Sequence, residues 1–190
     1  KNNNDINMRE LTLLKITRFF IENPYQEVYL RQLAKKLKLS PFAIKKYADL
    51  LLEDKLIKEE RKANLRYFKS NINNLFFKHL KIAFNLRIIL KSGLTGFLTE
   101  NIPNVSSIVL FGSIAKGEDD KKSDVDILVM GKKKYINLDK FEKTIDKRIT
   151  THMFSWSEWN NKAKKDKAFY YEVVIHGIPL YGELPLVKWK

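Results

Sequence analysis

The sequence predicts an α+β chain in two parts. The first is a small N-terminal unit of three helices closed by a β-hairpin; the second is an α/β core on a short mixed sheet. Three observations predict it. Apolar residues recur at helical spacing three times in the first 55 residues, and two strand-like runs follow at once. Farther along, Ser107 to Phe111 and Ile127 to Met130 are apolar runs that read as strands. Between them stand Gly112-Ser113 and Asp124-Val125-Asp126, with ten residues separating Ser113 from Asp124.

The N-terminal elements follow in order. Residues 8–22 (MRELTLLKITRFFIE) place Leu11, Leu14, Ile16, Phe19 and Phe20 on one helical stripe, and Asn23-Pro24 ends it. Leu30, Leu33, Ala34 and Leu37 give the second helix its spacing. Ser40 is a good N-cap and Pro41 fits a first turn, so a third helix starts there, with Ile44, Tyr47, Ala48, Leu51 and Leu52 facing inward. Leu56–Arg61 and Asn64–Lys69 then read as a hairpin turning around Lys62-Ala63-Asn64. In element order and apolar spacing, the stretch YLRQLAKKLKLSPFAIKKYADLLLEDKLIKEERKANLRYFK resembles a winged helix-turn-helix DNA-binding domain of the prokaryotic transcription-regulator kind. The resemblance implies that the helix from Pro41 enters the major groove of double-stranded DNA. Phe42, Lys45, Lys46 and Asp49 lie on its outer face. Lys45 and Lys46 would be groove or phosphate contacts, and Arg61, Lys62 and Arg66 would reach backbone or minor groove from the wing.

Charge points the same way. The net charge is +14, and residues 1–70 hold 16 basic against 9 acidic groups. A basic excess concentrated there suits a polyanion partner. No apolar window of about eighteen residues exists, which argues against a membrane partner. The opening KNNNDINMRE has no apolar signal-peptide region, and the chain has no Cys for disulfides or thiolate metal sites. These features fit a cytoplasmic protein.

The expected organisation is residues 1–70 for the first domain, 71–103 for connecting helices and 104–190 for the second domain. Residues 72–92 carry one apolar helical face: Leu75, Phe76, His79, Leu80, Ala83, Leu86, Ile89 and Leu90. His79 there reads as a core or interface residue rather than a ligand. So large a face could also bury itself in a homodimer, as symmetric half-sites favour two copies.

The C-terminal motifs carry the chemistry. A Gly and a Ser at the end of a strand let backbone and hydroxyl approach a phosphate. Asp124 and Asp126, at i and i+2 of the next strand, point to one face, where two carboxylates repel and seek a cation. Mg²⁺ prefers a few carboxylates plus phosphate oxygens, and Mn²⁺ suits the same ligands. The Gly-Ser … Asp-x-Asp pattern resembles the signature of DNA polymerase β-like nucleotidyltransferases, particularly their minimal members. That resemblance implies a nucleoside triphosphate (NTP) held by Gly112 and Ser113, with Asp124 and Asp126 as catalytic metal ligands. It also implies a third carboxylate on a later strand.

Here the sequence departs from the family. Leu138–Arg148 reads as a helix and Ile149–Ser155 as the third strand, yet Ile149–Phe154 contains no Asp or Glu. Alternation puts Thr150 and His152 on one face as stand-ins for the third position, and Glu158 lies beyond the strand's end. Trp156–Lys167 reads as a loop and short helix, and residues 168–182 as a terminal helix ending near Gly177, then a turn. The ending HGIPLYG resembles the tail of winged-helix-linked nucleotidyltransferases.

Two functions follow. The favoured one is a DNA-binding transcriptional regulator whose nucleotidyltransferase-like domain binds Mg-nucleotide. The alternative is an active nucleotidyltransferase transferring a nucleoside monophosphate from an NTP to a protein, nucleic acid or small-molecule hydroxyl, as in a toxin–antitoxin or defence system. The intact binding motif and the missing carboxylate favour a nucleotide-binding or weakly active module over an efficient transferase.

Overall fold

Segments of alternating apolarity and well-marked helix caps set the architecture. A computed structural model describes residues 3–188, with side chains from residue 11 onward. The chain divides into two compact units, Lys1–Lys81 and Ile82–Lys190.

The first unit runs α1 (Asn3–Glu22), β1 (Val28–Tyr29), α2 (Leu30–Leu37), α3 (Pro41–Glu53), β2 (Ile57–Lys62) and β3 (Leu65–Ser70). Ser40 caps α3 by accepting from the Ala43 N–H at 3.1 Å, with Pro41 in the first turn. Ile44, Tyr47, Ala48 and Leu51 of α3 are buried, as are Leu33 and Ala34 of α2. The strands form an antiparallel sheet in the order β1-β3-β2, and the two-residue connection is closed by Ala63 at a left-handed φ of 51°. The stripe expected on α1 is rotated. Ile16, Thr17, Phe19, Phe20 and Ile21 face inward, whereas Leu11 and Leu14 are 64% and 52% exposed. The inward face is fixed from the far end, where Ser70 Oγ donates to the Phe20 carbonyl at 2.9 Å.

Helix α4 (Leu75–Lys91) spans the division between the units. Phe77 and Ile89 are its buried apolar residues, while His79 is exposed, its Nδ1 2.8 Å from the Leu75 carbonyl. Of the two expected settings for His79, core or interface, the core is excluded, because the buried face of this helix runs through other positions.

The second unit continues with α5 (Leu94–Asn101), β4 (Ser107–Phe111), α6 (Gly112–Lys116), β5 (Val125–Met130), α7 (Asp139–Ile145), β6 (Ile149–Phe154), α8 (Trp156–Lys165), α9 (Lys167–His176) and β7 (Ile178–Gly182). Its sheet has the order β6-β5-β4-β7; β5 and β6 are parallel and the other pairs antiparallel. Period-2 alternation sorts side chains between two cores. Ile108, Leu110, Val125, Ile127 and Val129 pack with residues of α5 and α7. Val109, Phe111, Leu128 and Met130 pack with Trp159 of α8 and with Tyr170 and Val173 of α9.

Four details correct the sequence reading. Gly112-Ser113 is not a bare turn but the opening of a five-residue helix, Gly112–Lys116, whose Ile114 and Ala115 are buried. Helix α7 stops at Ile145, because Asp146 turns left-handed at φ 59°. Trp156–Lys165 is a full helix, opened by a capping box between Ser155 and Glu158 and anchored by a fully buried Trp159, whose indole N–H donates to the Pro185 carbonyl at 2.7 Å. The expected final turn is an edge strand, which tolerates Pro179.

Candidate functional site

Register brings the two halves of the motif together. In the β4–β5 ladder Phe111 lies opposite Asp126, so the chain leaves β4 at Gly112 directly beside that carboxylate. Gly112 adopts φ +73°. A Cβ there would collide with Asp126 Oδ2 and stand 3.2 Å from Cγ. Only glycine satisfies both demands, a left-handed backbone and bare space against an acid. Gly112, Ser113, Asp124 and Asp126 are all half-buried.

The ten-residue spacer is an anchored loop. Asp119 is buried, takes an Asn85 amide at 3.0 Å and stands 3.5 Å from Lys147 Nζ. Asp120 accepts from the Lys122 N–H at 2.8 Å and from Ser123 Oγ at 3.0 Å. The Lys122 backbone bond, followed by Ser123, holds the Asp120 carboxyl below its usual range. Of the five acids from Glu118 to Asp126, Asp119 and Asp120 therefore serve the loop, whereas Asp124 and Asp126 have no such anchoring bond among the described residues. Beside Asp124 runs a shallow groove of about 470 Å³ of mixed charge, its four lysines and Arg148 interspersed with Asp139, Glu142 and Asp146.

Asp126 lies on the sheet face covered by α8 and α9, the face of Leu128 and Met130. Burial, chiefly, raises its pKa; the negative charges of Asp124 and Glu172 add to the rise and His152 opposes it. Thr150 is the register partner of Asp126 on β6, and His152 is the partner of Leu128. Alternation puts both on Asp126's face. The His152 ring packs against Phe111 and Phe169, each with centroids 5.4 Å away. Glu158 is turned elsewhere: it completes the α8 capping box and pairs with Lys133 at 2.7 Å, and this Lys133 bond, then Ser155, takes its pKa down to about 2. The sequence reading missed Lys116 and Glu172, which pair at 2.9 Å across α6 and α9.

In the first unit Lys45 and Lys46 are exposed on α3, next to Phe42 at 78% exposure. The hairpin cations have acidic partners. Arg66 contacts Glu59 at 2.6 Å and Asp49 at 2.7 Å, Lys62 contacts Glu27 at 2.6 Å, and Arg61 contacts Glu59 at 3.3 Å.

Comparison with known proteins assigns the second unit. The family model described as "Polymerase beta, Nucleotidyltransferase" matches residues 94–184. No curated protein matches the chain. Among solved structures, a toxin-antitoxin crystallised with AMP-PNP is 25% identical over 47% of this chain and 71% of that one, with a TM-score of 0.36. One mutant of the toxin-antitoxin MntA-HpeT is 24% identical over 49% and 72%, with a TM-score of 0.34. A second mutant is 22% identical over 47% and 71%, with a TM-score of 0.36. TM-scores of this size say nothing about acceptor or partner. The chain carries a polymerase β-like nucleotidyltransferase domain within its second unit, and among the described residues no helix is long and apolar enough to cross a membrane.

Proposed function

We propose that this chain is a nucleotidyltransferase, which binds an NTP with Mg²⁺ and moves the nucleoside monophosphate to a hydroxyl acceptor. The observation that carries the reading is the Asp126 carboxylate lying against the bare backbone of Gly112. The residues fit a divalent cation. Two hard oxygen donors stand at alternate positions, and Asp126 is pushed toward protonation by burial and by neighbouring negative charge, a repulsion that a cation relieves. The Gly112 cradle leaves room that a Cβ would fill.

Asp124 and Asp126 would hold the ion; the Gly112 backbone and the Ser113 hydroxyl would take triphosphate oxygens. When bound, the ion supplies charge neutralisation and alignment. The chain's own contribution is placement: a fixed turn beside two carboxylates on a rigid strand. In the transfer, the acceptor hydroxyl would lose its proton to solvent and its oxygen would bond to the α-phosphorus as the bond to the bridging oxygen breaks and pyrophosphate leaves. Calorimetric titration with AMP-PNP tests the site. Binding should require Mg²⁺ and disappear in the Asp124→Ala, Asp126→Ala double variant; binding indifferent to both would refute it.

A second reading concerns the first unit, as a winged helix-turn-helix arm for double-stranded DNA in a transcriptional regulator. The supporting observation is the exposed face of Phe42, Lys45 and Lys46 on a helix whose other side is buried. The hairpin cations are engaged by acids, so α3 carries the contacts in this reading. Duplex binding should fall steeply with salt, and Lys45→Ala with Lys46→Ala should reduce the log–log slope by about 2. A flat slope would remove the reading.

A further inference from the structure

Asp126 is held by paired strands on both sides, but Asp124 stands one residue outside β5. What fixes it comes from the connection between α7 and β6. The left-handed Asp146 ends α7 at φ 59° and delivers Lys147 to the spacer loop. The Lys147 ammonium group donates to the Asp120 carbonyl and, at 3.3 Å, to the Ser123 carbonyl. It also stands 3.5 Å from Asp119 Oδ2, so three oxygens face its three donors. The contact is shielded from solvent, with side-chain exposures of 14% for Lys147 and 5% for Asp119. A cation so enclosed is costly unless its partners are fixed, and the Asn85 amide holds Asp119 in turn at 3.0 Å. Ser123 precedes Asp124, so its carbonyl lies in the rigid peptide plane that leads into Asp124. The plane that follows is pinned as well, because the Val125 N–H donates to the Arg148 carbonyl at 2.8 Å. Two consecutive residues, Lys147 and Arg148, thus hold the peptides on either side of Asp124.

We propose that Lys147 is a positioning residue, which sets the place of Asp124 relative to Asp126 through the Asp120 and Ser123 carbonyls. This rests on the nucleotidyltransferase reading. Lys147 touches neither metal nor nucleotide in this role; it supplies to Asp124 the fixity that the strand ladder supplies to Asp126. The role has a sign that charge alone would not give. A nearby ammonium repels a divalent cation, whereas a clamp on one of the cation's ligands favours its binding.

Mn²⁺ affinity, followed by the loss of the free-ion electron paramagnetic resonance signal, tests it. Lys147→Met keeps the apolar stem and removes the donors. It should weaken Mn²⁺ binding about tenfold, the scale of losing a group that orients a metal ligand. Lys147→Gln keeps an amide donor and should weaken it less, about threefold. Circular dichroism melts show which variants are folded at the assay temperature, and Lys147→Gln carries the test alone if Lys147→Met is not. Ser155→Ala, which loses the α8 cap, controls for lost stability and should leave the affinity unchanged. Unchanged or tighter binding in the Lys147 variants would overturn the proposal, tighter binding being what removal of a repelling charge predicts. Equal weakening in Ser155→Ala would also overturn it, by tracing the effect to general destabilisation. If the wild type binds Mn²⁺ no better than the Asp124→Ala, Asp126→Ala variant, the nucleotidyltransferase reading fails and this proposal with it. If the wild type binds and the Lys147 variants match it, this proposal fails alone.

Discussion

Replacing Gly112 with Ala puts a methyl group where the structure has an acid. At φ +73° the left-handed backbone alone costs an L residue about 1–2 kcal/mol. Gly93 provides the control: its φ is +79°, and nothing stands within 4 Å of where its Cβ would be. Gly93→Ala should therefore lose only that 1–2 kcal/mol, roughly. At Gly112 the new methyl also overlaps Asp126 Oδ2 and stands 3.2 Å from Cγ and 3.3 Å from Cβ. Asp126 sits on a strand paired on both sides, so relief comes from turning its side chain, an off-rotamer cost of about 0.5–1.5 kcal/mol. Gly112→Ala should thus exceed Gly93→Ala by about 0.5–1.5 kcal/mol in urea unfolding. The functional gap should be far larger. Moving a ligand by an ångström can cost about 10²-fold in rate, so Gly112→Ala should lose roughly that in turnover and Gly93→Ala almost nothing. The assay is label transfer at a temperature where all three proteins are folded. A folded Gly112→Ala with wild-type turnover would refute the placement of Asp126 beside the phosphate turn.

Other expectations follow from the same site and its surroundings. Asp126→Asn should abolish metal binding yet melt no lower than the wild type without metal, because it removes a charge that burial disfavours. The raised Asp126 pKa means that the folded protein holds this proton more tightly than the unfolded chain. Its contribution to stability is therefore fully present below the ordinary value of 3.8 and lost as pH rises through the folded pKa. Metal-induced rises in Tm should accordingly shrink on acidification toward pH 4, as the proton competes with the ion; a pH-independent rise would contradict this. Ser155→Ala should cost about 1 kcal/mol in chemical unfolding through the lost α8 cap. Glu158→Gln should leave Mn²⁺ affinity unchanged and reduce stability above pH 4.5, since the depressed Glu158 pKa of about 2 stabilises above its ordinary value and is lost as pH falls through the folded one.

Much of the site was legible in the sequence because its signals are local. A strand ending in Gly-Ser and an Asp-x-Asp opening the next strand gave Gly112, Ser113, Asp124 and Asp126 their neighbourhood. The Ser40-Pro41 start of α3 was equally plain, as was the hairpin behind it. What escaped depends on distant partners. Lys116 and Glu172 are far apart in sequence, and Glu172 sits inside AFYYEVVIH, whose apolar residues draw attention to packing. The spacer acids Asp119 and Asp120 are held by Asn85, Lys147 and Ser123, and the Asn85 and Lys147 contacts lie beyond the reach of any local pattern. Strand β7 was masked by Gly177 and Pro179, which usually punctuate turns; helix α8 was masked by lysines and asparagines around its one buried tryptophan. Counting the hairpin cations gave their number, while Glu27, Glu59 and Asp49 decided how they are engaged.

The most direct test of nucleotidyl transfer is to follow two labels in parallel. The protein is incubated with Mg²⁺, a cell lysate as acceptor source and an NTP labelled at either the α- or the γ-phosphate. The expected result is acceptor labelling from the α-position only, absent in the Asp124→Ala, Asp126→Ala variant. Labelling from the γ-position, or α-labelling that the double variant retains, would contradict it.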